Sequence, residues 1–355
     1  MKTEMKAAVY YGKNDVRVEE VPVPKIGGKE VLVKIDSCGI CGTDLSKITR
    51  GHLEGKRILG HEMSGTIEEA GREVEEWRAG DKVAVYHHVP CLKCFHCAHE
   101  NYSMCDLWKN TVTTAGFIPS GGGFAEYIKV PEVIAEKGIT RIPSDTDFET
   151  ATFLEPVNCG LKAVKRAQIK ENDFVVVFGQ GPAGILLTQL SSLHGAKVIA
   201  VDLIDYRLEK AVNVFGAVEG INAGKQDVAE EIKKITGGHG ADTAITAVPN
   251  VKVIEQALGC VRKGGKFLMF AECDRDARIT LDPNILYTAE IILLGSYSSS
   301  VKLQHEVEEI VFKKKIKLKE MVSHRFSLEE FPKALELALN PGRQEVLKIM
   351  IKPNI

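Results

Sequence analysis

This chain has few aromatic side chains and a net charge close to zero. Only 6% of the residues are aromatic, and 46 lysines and arginines nearly balance 48 aspartates and glutamates to leave a formal charge of -2. Nucleic-acid-binding proteins usually carry a basic surface with interleaved aromatics, so the composition gives no support for a nucleic-acid partner. No apolar run approaches the roughly 20 residues of a membrane-spanning helix. We therefore expect neither a nucleic acid nor a membrane as a partner.

The start of the chain also lacks an apolar segment. Lysines follow Met1, and no run long enough for the apolar core of a signal peptide comes after them. Together with several scattered cysteines, this favours a cytoplasmic location, where thiols stay reduced. A length of 355 residues exceeds one ordinary hydrophobic core, so two domains are expected.

Cysteine is the residue type whose placement is most informative. Four of the nine cysteines are crowded into one segment, at Cys91, Cys94, Cys97 and Cys105. A C-x-x-C turn places two sulfurs within reach of one ion, and four thiolates complete the tetrahedral shell of a structural zinc. Such a closed shell leaves no position for substrate, so the chemistry must lie elsewhere. Disulfides or a redox pair are the alternative, but thiols this close would crosslink wrongly in an oxidising compartment.

The pattern of apolar runs in the sequence changes near residue 155. Before it, short apolar runs predict the strands of a β-rich domain: Lys6–Tyr10, Glu30–Ile35, Met63–Ile67, Lys82–Tyr86 and Phe124–Val130. After it, apolar runs predict five buried strands: Phe174–Phe178, Lys197–Val201, Thr243–Val248, Lys266–Ala271 and Ile291–Leu294. Helical patterns follow several of them: Pro182–Leu193, Val228–Ile235 and Val251–Val261. This alternation predicts a parallel sheet with helices on both faces. The tail has two helical patterns and a strand: Leu303–Phe312, Leu328–Leu339 and Leu347–Ile351.

A glycine-rich hexapeptide, GQGPAG, begins at Gly179, between a predicted strand and a predicted helix. Gly179 permits a tight turn, Gly181 lets a pyrophosphate approach the backbone, and Gly184 allows the helix to pack closely on the sheet. Pro182 suits the first helical turn, and the amino end of the helix, with Ala183, faces the anion. The motif in this context predicts a dinucleotide-binding site.

The residue after the next predicted strand bears on the choice of dinucleotide. Asp202 lies 23 residues after Gly179, where a carboxylate accepts hydrogen bonds from ribose hydroxyls and repels a 2′-phosphate. NAD is therefore favoured. Arg207 follows closely and could pair with that phosphate instead, which keeps NADP as an alternative. Val248 ends a later predicted strand, where ligands of open parallel sheets bind, so it is expected near the cofactor.

A dinucleotide carries hydride but does not activate an alcohol, which requires a second metal site with an open position. Cys41, His61, Glu62 and Glu155 offer one thiolate, one imidazole and two carboxylates. These donors make a reasonable zinc shell with room for water or substrate. From spacing alone, such residues are more often ordinary buried structure than metal ligands.

In their order along essentially the whole chain, these motifs resemble the zinc-dependent medium-chain dehydrogenases. Within that family the chain is most similar to the sorbitol, polyol and threonine dehydrogenase branch. The resemblance is carried by Cys38-Gly-Ile-Cys-Gly-Thr-Asp44, Gly60-His-Glu62, the four-cysteine segment, Glu155-Pro156 and the glycine motif. It implies an α/β fold in which a GroES-like β-rich catalytic domain, residues 1–153 and 297–355, surrounds a Rossmann domain, residues 154–296. It also implies a homodimer or homotetramer, often joined near Ile291–Ser296.

The resemblance further implies the role of each site residue. Cys41, His61 and Glu62 match ligands of a catalytic zinc, and Glu155 matches a carboxylate that binds the ion directly or through water. Thr43 matches the hydroxyl residue that passes a proton between substrate oxygen and cofactor ribose. The implied enzyme binds two zinc ions, one catalytic and one structural, and NAD. It converts a secondary alcohol, such as a polyol, a sugar-derived alcohol or a 3-hydroxy amino acid, to a ketone.

Three alternatives remain at this level. One is a dehydrogenase of simple alcohols. Another is a zinc-free NADPH quinone or enoyl reductase of the same superfamily, although those relatives lack the catalytic ligands. The third is a zinc-ribbon binding protein without enzymatic activity. Two departures from the branch concern substrate: Lys162 replaces a frequent histidine, and the segment 295–300 lacks the arginine of sorbitol dehydrogenases. The second departure argues against sorbitol itself.

Overall fold

A computed structural model describes residues 2–107 and 110–355. The strands of these residues are β1 (Glu4–Gly12), β2 (Asp15–Pro22), β3 (Val31–Gly39), β4 (Arg57–Ile58), β5 (Glu62–Ala70), β6 (Lys82–Tyr86), β7 (Tyr127–Val130), β8 (Ile139–Arg141), β9 (Phe174–Phe178), β10 (Lys197–Asp202), β11 (Ala217–Asn222), β12 (Ala241–Thr246), β13 (Val261–Met269), β14 (Ile292–Gly295), β15 (Val322–Ser327) and β16 (Lys348–Lys352).

The helices are α1 (Gly42–Arg50), α2 (Phe95–Ala98), α3 (Glu132–Lys137), α4 (Phe148–Ala151), α5 (Leu154–Ala167), α6 (Pro182–Leu193), α7 (Asp205–Asn213), α8 (Val228–Ile235), α9 (Val251–Gly259), α10 (Asn284–Tyr287), α11 (Gln304–Phe312) and α12 (Phe331–Leu339). Short 3-10 turns occur at Tyr102–Met104, Val301–Leu303, Lys319–Met321 and Pro341–Arg343. Within the described ranges, none of the helices has the length and apolar character needed to cross a bilayer.

The chain divides into two compact units. The first consists of Met1–Glu155, Val311–Lys313 and Met321–Ile355, and the second of Pro156–Ile310 and Lys314–Glu320. Both ends of the chain therefore belong to the first unit, and the second is built from one long central stretch plus a short later segment.

The second unit is organised around a six-stranded sheet in the order β11-β10-β9-β12-β13-β14, with every neighbouring pair parallel. In chain order this is the arrangement 3-2-1-4-5-6, a doubly wound sheet whose order reverses between β9 and β12. The middle of β9, Val175–Phe178, is fully buried, as expected for a strand covered by helices on both faces. The predicted Rossmann architecture is confirmed, and its expected ligand-binding edge lies at the carboxyl ends of β9 and β12.

The first unit contains a seven-stranded sheet in the order β15-β16-β3-β5-β6-β8, with β7 paired to β3, and a three-stranded sheet β2-β1-β4. The prediction of a β-rich domain is confirmed. Strand β16, close to the carboxyl terminus, pairs antiparallel with β3, so that Met350 lies opposite Gly39. The last residues of the chain thus lie beside the segment that leads into Cys41.

Two predicted strands extend beyond the observed carboxyl ends. The predictions ended strands at Val248 and Ala271, whereas β12 ends at Thr246 and β13 at Met269. The reason is register: Thr246 pairs with both Phe178 and Met269, so three neighbouring strands end at one level. Beyond that level Gly179 turns away from the sheet with φ 89°, and the amides of Ala247 and Phe270 make single hydrogen bonds back to the carbonyls of Phe178 and Thr246.

Candidate functional site

Four cysteine sulfurs converge in one lobe of the first unit. The Sγ atoms of Cys91, Cys94, Cys97 and Cys105 all lie within 4.8 Å of one another. Cys91 Sγ lies 4.0 Å from Cys97 Sγ, close to the roughly 3.8 Å separation that a tetrahedron of Zn–S bonds near 2.3 Å requires. All four are free thiols. The donor chemistry and the spacing fit a closed structural zinc site.

Backbone amides of this lobe donate hydrogen bonds to its sulfurs. The amide of Cys94 donates to Cys91 Sγ at 3.3 Å, and the amide of Cys91 donates to Cys105 Sγ at 3.2 Å. Backbone donors, that of Lys93 first, lower the pKa of Cys91 to about 6, whereas burial raises the pKa of Cys97 to about 12. The buried residues of this cluster are Cys97 and Cys105, and half-buried Cys91, Cys94 and Tyr102 pack against them. A lobe with so small an apolar core is of the kind that a bound metal stabilises.

A second group brings together Cys41, His61 and Glu62, whose donor atoms also lie within 4.8 Å of one another. The pairing of β3 with β5 explains how residues 20 positions apart meet, because Gly39 at the end of β3 lies opposite Glu62 at the start of β5. Cys41 is the N-cap of α1, and His61 follows Gly60, which has φ 89°. His61 and Glu62 are buried, and Cys41 is half-buried.

A buried carboxylate holds the two loops of this group together. Asp44 accepts hydrogen bonds from the amides of Cys41 at 3.2 Å and Gly60 at 3.3 Å, and its Oδ1 lies 3.2 Å from His61 Nδ1. A carboxylate at Nδ1 fixes the imidazole tautomer so that Nε2 is available as a metal ligand. The structure thus places Asp44 as a partner of both loops.

The charges of this group shift the pKa values of His61 and Asp44. Burial by itself lowers the pKa of His61, but the negative charges of Asp44 and Cys41 outweigh it and raise the pKa well above its ordinary value. Burial raises the pKa of Asp44, but the charge and hydrogen bond of His61 outweigh this and lower it. Both shifts favour the protonated imidazole beside the ionised carboxylate, and a metal at His61 would compete with that proton.

Two further residues of the predicted catalytic set, Thr43 and Glu155, are not among the three converging donors. Thr43 is the second residue of α1, and its side chain is exposed. Glu155 is buried near the start of α5 and, with Met63 and Tyr86, lines a small space in the first unit. Among the residues that the structure describes, Glu155 is not part of the converging group.

Sequence reasoning missed two residues beside the metal group. The His87 ring centroid lies 4.9 Å from that of His61, and Lys348 of β16 forms an ion pair with Glu62. His87 directly follows the predicted strand that ends at Tyr86, which was a weak signal. Lys348 gave no signal, because a lysine in a predicted terminal strand normally marks the solvent face.

In the glycine loop after β9, packing requires glycine at one position, whereas at another no contact within the described part of the protein requires it. A Cβ on Gly184 would overlap the carbonyl oxygen of Gly179, so close packing of α6 on the sheet demands glycine there. A Cβ on Gly181 would meet only Arg207 Nη1, at an ordinary 3.6 Å. Pro182 is the first residue of α6, and Ala183 is the second. The open space at Gly181, at the amino end of a helix, is suited to an anion.

The other predicted cofactor residues gather around this loop. Asp202 accepts hydrogen bonds from the amides of Gln180, Leu203 and Ile204, which fix its carboxylate at the end of β10. A Cβ on Gly179 would overlap Val248 Cγ1, so the Val248 side chain lies against the loop. Burial lowers the pKa of Arg207, and the nearby charge of Asp202 opposes this change.

One face of α5 holds the segment that follows β14. Lys162 Nζ donates to the Tyr297 carbonyl at 2.7 Å, and Arg166 Nε donates to the Gly295 carbonyl at 2.9 Å. One turn before Lys162, Asn158 bonds both the amide and the carbonyl of Ser300. Burial lowers the pKa of Lys162 to about 8. The lysine that departs from the branch pattern therefore contacts a backbone carbonyl within the second unit.

Comparison with known proteins agrees with this arrangement. Residues 27–143 match the alcohol dehydrogenase GroES-like domain, and residues 182–315 match the zinc-binding dehydrogenase domain. The chain is 33% identical to a sorbitol dehydrogenase of Bacillus subtilis (strain 168) over 356 residues, covering 99% of this chain and 98% of that protein.

Two solved structures have the same fold over nearly their full length. One, from Sinorhizobium meliloti 1021, is assigned as a zinc-binding dehydrogenase and is bound to NADP; it has a TM-score of 0.89 at 27% identity and covers 99% of this chain and 100% of that one. An alcohol dehydrogenase from Escherichia coli CFT073, complexed with NADH, has a TM-score of 0.86 at 27% identity, with coverage of 99% and 100%.

Identity at this level over almost the entire length of both chains requires common descent, and the same two matched domains contain the thiolate lobe and the start of α6. The chain therefore belongs to the zinc-dependent medium-chain alcohol dehydrogenases, in the branch of the sorbitol, polyol and threonine dehydrogenases.

Proposed function

We propose that this protein interconverts a secondary alcohol and its ketone with a catalytic zinc ion and NAD. The observation that supports the proposal best is the convergence of Cys41, His61 and Glu62. Three protein donors of mixed type leave one position of a tetrahedral shell open, which is the pattern of catalytic zinc sites. The closed set of four cysteines in the same unit has the complementary, structural pattern. By analogy with the sorbitol, arabinitol and threonine dehydrogenases among its relatives, the substrate is a polyol, a sugar-derived alcohol or a 3-hydroxy amino acid.

The donors fit zinc in charge as well as in geometry. A thiolate and a carboxylate together balance a divalent ion, and the neutral imidazole completes the set. Zinc bound there would supply a Lewis acid that lowers the pKa of a substrate hydroxyl. Asp44 holds the His61 ring in the tautomer that can bind, and it joins the loop of Cys41 to that of His61 through two backbone amides. Asp44 therefore keeps the donors in position before any ligand arrives.

Thr43 is proposed to carry the substrate proton away. Its hydroxyl both accepts and donates a hydrogen bond, and it lies two residues from Cys41 on the exposed start of α1. An exposed hydroxyl so close to a metal ligand can contact substrate without displacing buried structure. The proposed route runs from the substrate hydroxyl through Thr43 to a ribose hydroxyl of the cofactor.

We assign NAD to the loop after β9. Gly181 keeps space clear at the amino end of α6, as a pyrophosphate requires. The fixed carboxylate of Asp202 presents negative charge where a 2′-phosphate would lie, and bound NAD would supply the hydride acceptor. NADP remains the second candidate because the Arg207 guanidinium lies beside Gly181 and the Sinorhizobium meliloti relative binds NADP.

A second copy of the chain is the proposed partner. Strand β14 is the edge of the six-stranded sheet, and its Ile292 and Leu293 are 50% and 38% exposed. An apolar sheet edge with unpaired backbone groups favours pairing with another strand. The parallel sheet would then continue through the edge strand of the partner.

The proposed activity is tested by measuring the rise in absorbance of the reduced nicotinamide as NADH forms. We expect the zinc-loaded protein to reduce NAD with a restricted class among polyols, sugar alcohols, threonine and simple secondary alcohols. Metal analysis of the same sample should give two zinc ions per chain. No turnover with any of these alcohols, together with a single zinc ion, would contradict the proposal.

Substitution of one cysteine from each set should separate the two metals. We expect Cys41→Ser to lose one zinc ion and at least about 99% of turnover, because a zinc-bound catalytic site contributes several kcal/mol to transition-state stabilisation. Its thermal midpoint should change little. Cys94→Ser should instead lower the free energy of unfolding by on the order of several kcal/mol. Metal content, turnover and thermal unfolding of both variants are the measurements, and normal turnover in Cys41→Ser would disprove the ligand assignment.

The charge of Asp202 should set the choice of cofactor. Asp202→Asn keeps a side-chain oxygen for the loop amides but removes the charge. We expect the ratio of kcat/KM for NADP over NAD to rise by about tenfold, equivalent to ~1.4 kcal/mol. Asp205→Asn, at an exposed aspartate paired with Lys225, is the matched control. An unchanged ratio in Asp202→Asn would show that this carboxylate does not face the ribose.

The edge strand is tested by the mass of the protein in solution. Ile292→Lys should disrupt the proposed pairing of β14 and shift sedimentation toward the monomer, since a buried charge at a strand edge opposes association. Ile355→Lys is the control, because Ile355 is 74% exposed at the end of the chain. A monomeric unmodified protein, or an Ile292→Lys variant of unchanged mass, would refute the pairing.

A further inference from the structure

A lysine is fully enclosed next to the proposed catalytic metal group. The side chains of Lys348 and Glu62 are each only 2% exposed and form an ion pair. Lysine and glutamate are almost never fully buried unless paired. Lys348 Nζ donates to Glu62 Oε2 and, at 3.0 Å, to the carbonyl of Ile40. Two of its three donor hydrogens therefore have partners that the fold itself supplies.

The surrounding backbone leaves just enough room for this pair. Gly39 pairs with Glu62 on one side and with Met350 of β16 on the other. A Cβ on Gly39 would overlap Glu62 Oε2 and approach Lys348 Cε to 2.6 Å. Any residue larger than glycine would therefore displace the carboxylate or the ammonium. The contact is built into three adjacent strands.

The two oxygens of Glu62 thus have different environments. Oε2 accepts from Lys348, while the carboxylate as a whole also contributes a donor atom to the group of Cys41 and His61. A carboxylate with both oxygens free can bind a metal through both, and the second oxygen then fills a further coordination position. A carboxylate with one oxygen held by an ammonium binds through the other oxygen.

We propose that Lys348 is a positioning residue that occupies one oxygen of Glu62, limits this ligand to one metal bond, and keeps the substrate position of the metal open. Lys348 also supplies the countercharge of the buried carboxylate when the metal is absent, and so permits metal exchange. The proposal rests on the proposed role of Cys41, His61 and Glu62 as metal ligands.

Removal of the ammonium should therefore tighten metal binding, whereas loss of an ordinary structural contact would loosen it. In Lys348→Met, Glu62 is free to bind with both oxygens, and the metal becomes its only countercharge. We expect cobalt in the site to be released to a chelator about tenfold more slowly than from the unmodified protein. The visible absorption of this cobalt should weaken, because d–d bands lose intensity as coordination number rises.

The cobalt-loaded protein provides the measurement and its controls. Lys348→Arg retains a cation and should release cobalt at a rate closer to that of the unmodified protein. Lys352→Met is the matched control: Lys352 lies on the same strand and pairs with Asp36 at 2.7 Å, so its loss should not change the spectrum. The four-cysteine set in the same molecule serves as an internal reference.

A second background keeps the test valid even if Lys348→Met folds poorly. Lys348→Met combined with Glu62→Gln contains no unpaired buried carboxylate and should fold. If Lys348 acts through Glu62, its replacement should leave the release rate and the spectrum of Glu62→Gln unchanged. Three results would each overturn the inference. The first is an equal change in cobalt release and spectrum when Lys348→Met is added to Glu62→Gln. The others are faster cobalt release from Lys348→Met than from the unmodified protein, and an unaltered cobalt spectrum in Lys348→Met. Uptake of only one metal per unmodified chain would instead refute the proposed ligand set.

Discussion

The proposed chemistry depends on the register between β3 and β5. Because Gly39 lies opposite Glu62, the chain leaving β3 toward Cys41 and the chain entering β5 from His61 meet at one end of the sheet. Asp44 then joins the two loops through backbone amides and the imidazole. A shift of one residue would turn Glu62 to the other face of the sheet. The donors are therefore positioned by a backbone ladder, which is more rigid than the side chains it carries.

The two metal sets illustrate opposite solutions to the cost of burying charge. In the thiolate lobe the buried cluster consists of Cys97 and Cys105, with half-buried Cys91, Cys94 and Tyr102 packed against them, so the proposed zinc ion would take the place of an apolar core. In the mixed set, Asp44 and Lys348 balance His61 and Glu62 without a metal. Removal of one partner from a buried ion pair costs on the order of 3–5 kcal/mol. The mixed set is therefore preorganised by ion pairs in the folded chain, whereas in the lobe the proposed zinc ion would balance the charge of the four thiolates.

The sequence predicted the features that depend on local pattern. The strand Phe174–Phe178 and the helices Pro182–Leu193 and Val228–Ile235 agree with the structure at both ends, because long apolar periodicity and a glycine turn determine their limits. Strands β2, β11 and β15 were not predicted. Each carries charged or polar residues and is only partly buried, so its conformation is set by a neighbouring strand and not by its own composition.

Contacts between distant segments could not be read from spacing. Cys41, His61 and Glu62 were candidate ligands from their donor chemistry, but only the family resemblance singled them out, since their separations fit no short metal motif. Lys348 lies 286 residues from Glu62, and only the pairing of β16 with β3 brings them together. His87 followed a predicted strand, but its closeness to His61 depends on the pairing of β5 with β6. The register between strands cannot be predicted from a single sequence.

The pairing of β16 with β3 also has a consequence for biosynthesis. The chain is made from the amino terminus, and domains commonly fold in that order during synthesis. Cys41, His61 and Glu62 emerge early, yet the ammonium that balances Glu62 belongs to Lys348, 286 residues later in the chain. The three donors are therefore synthesised long before the countercharge of Glu62. The site can reach its final electrostatic state only after β16 has been made and has paired with β3.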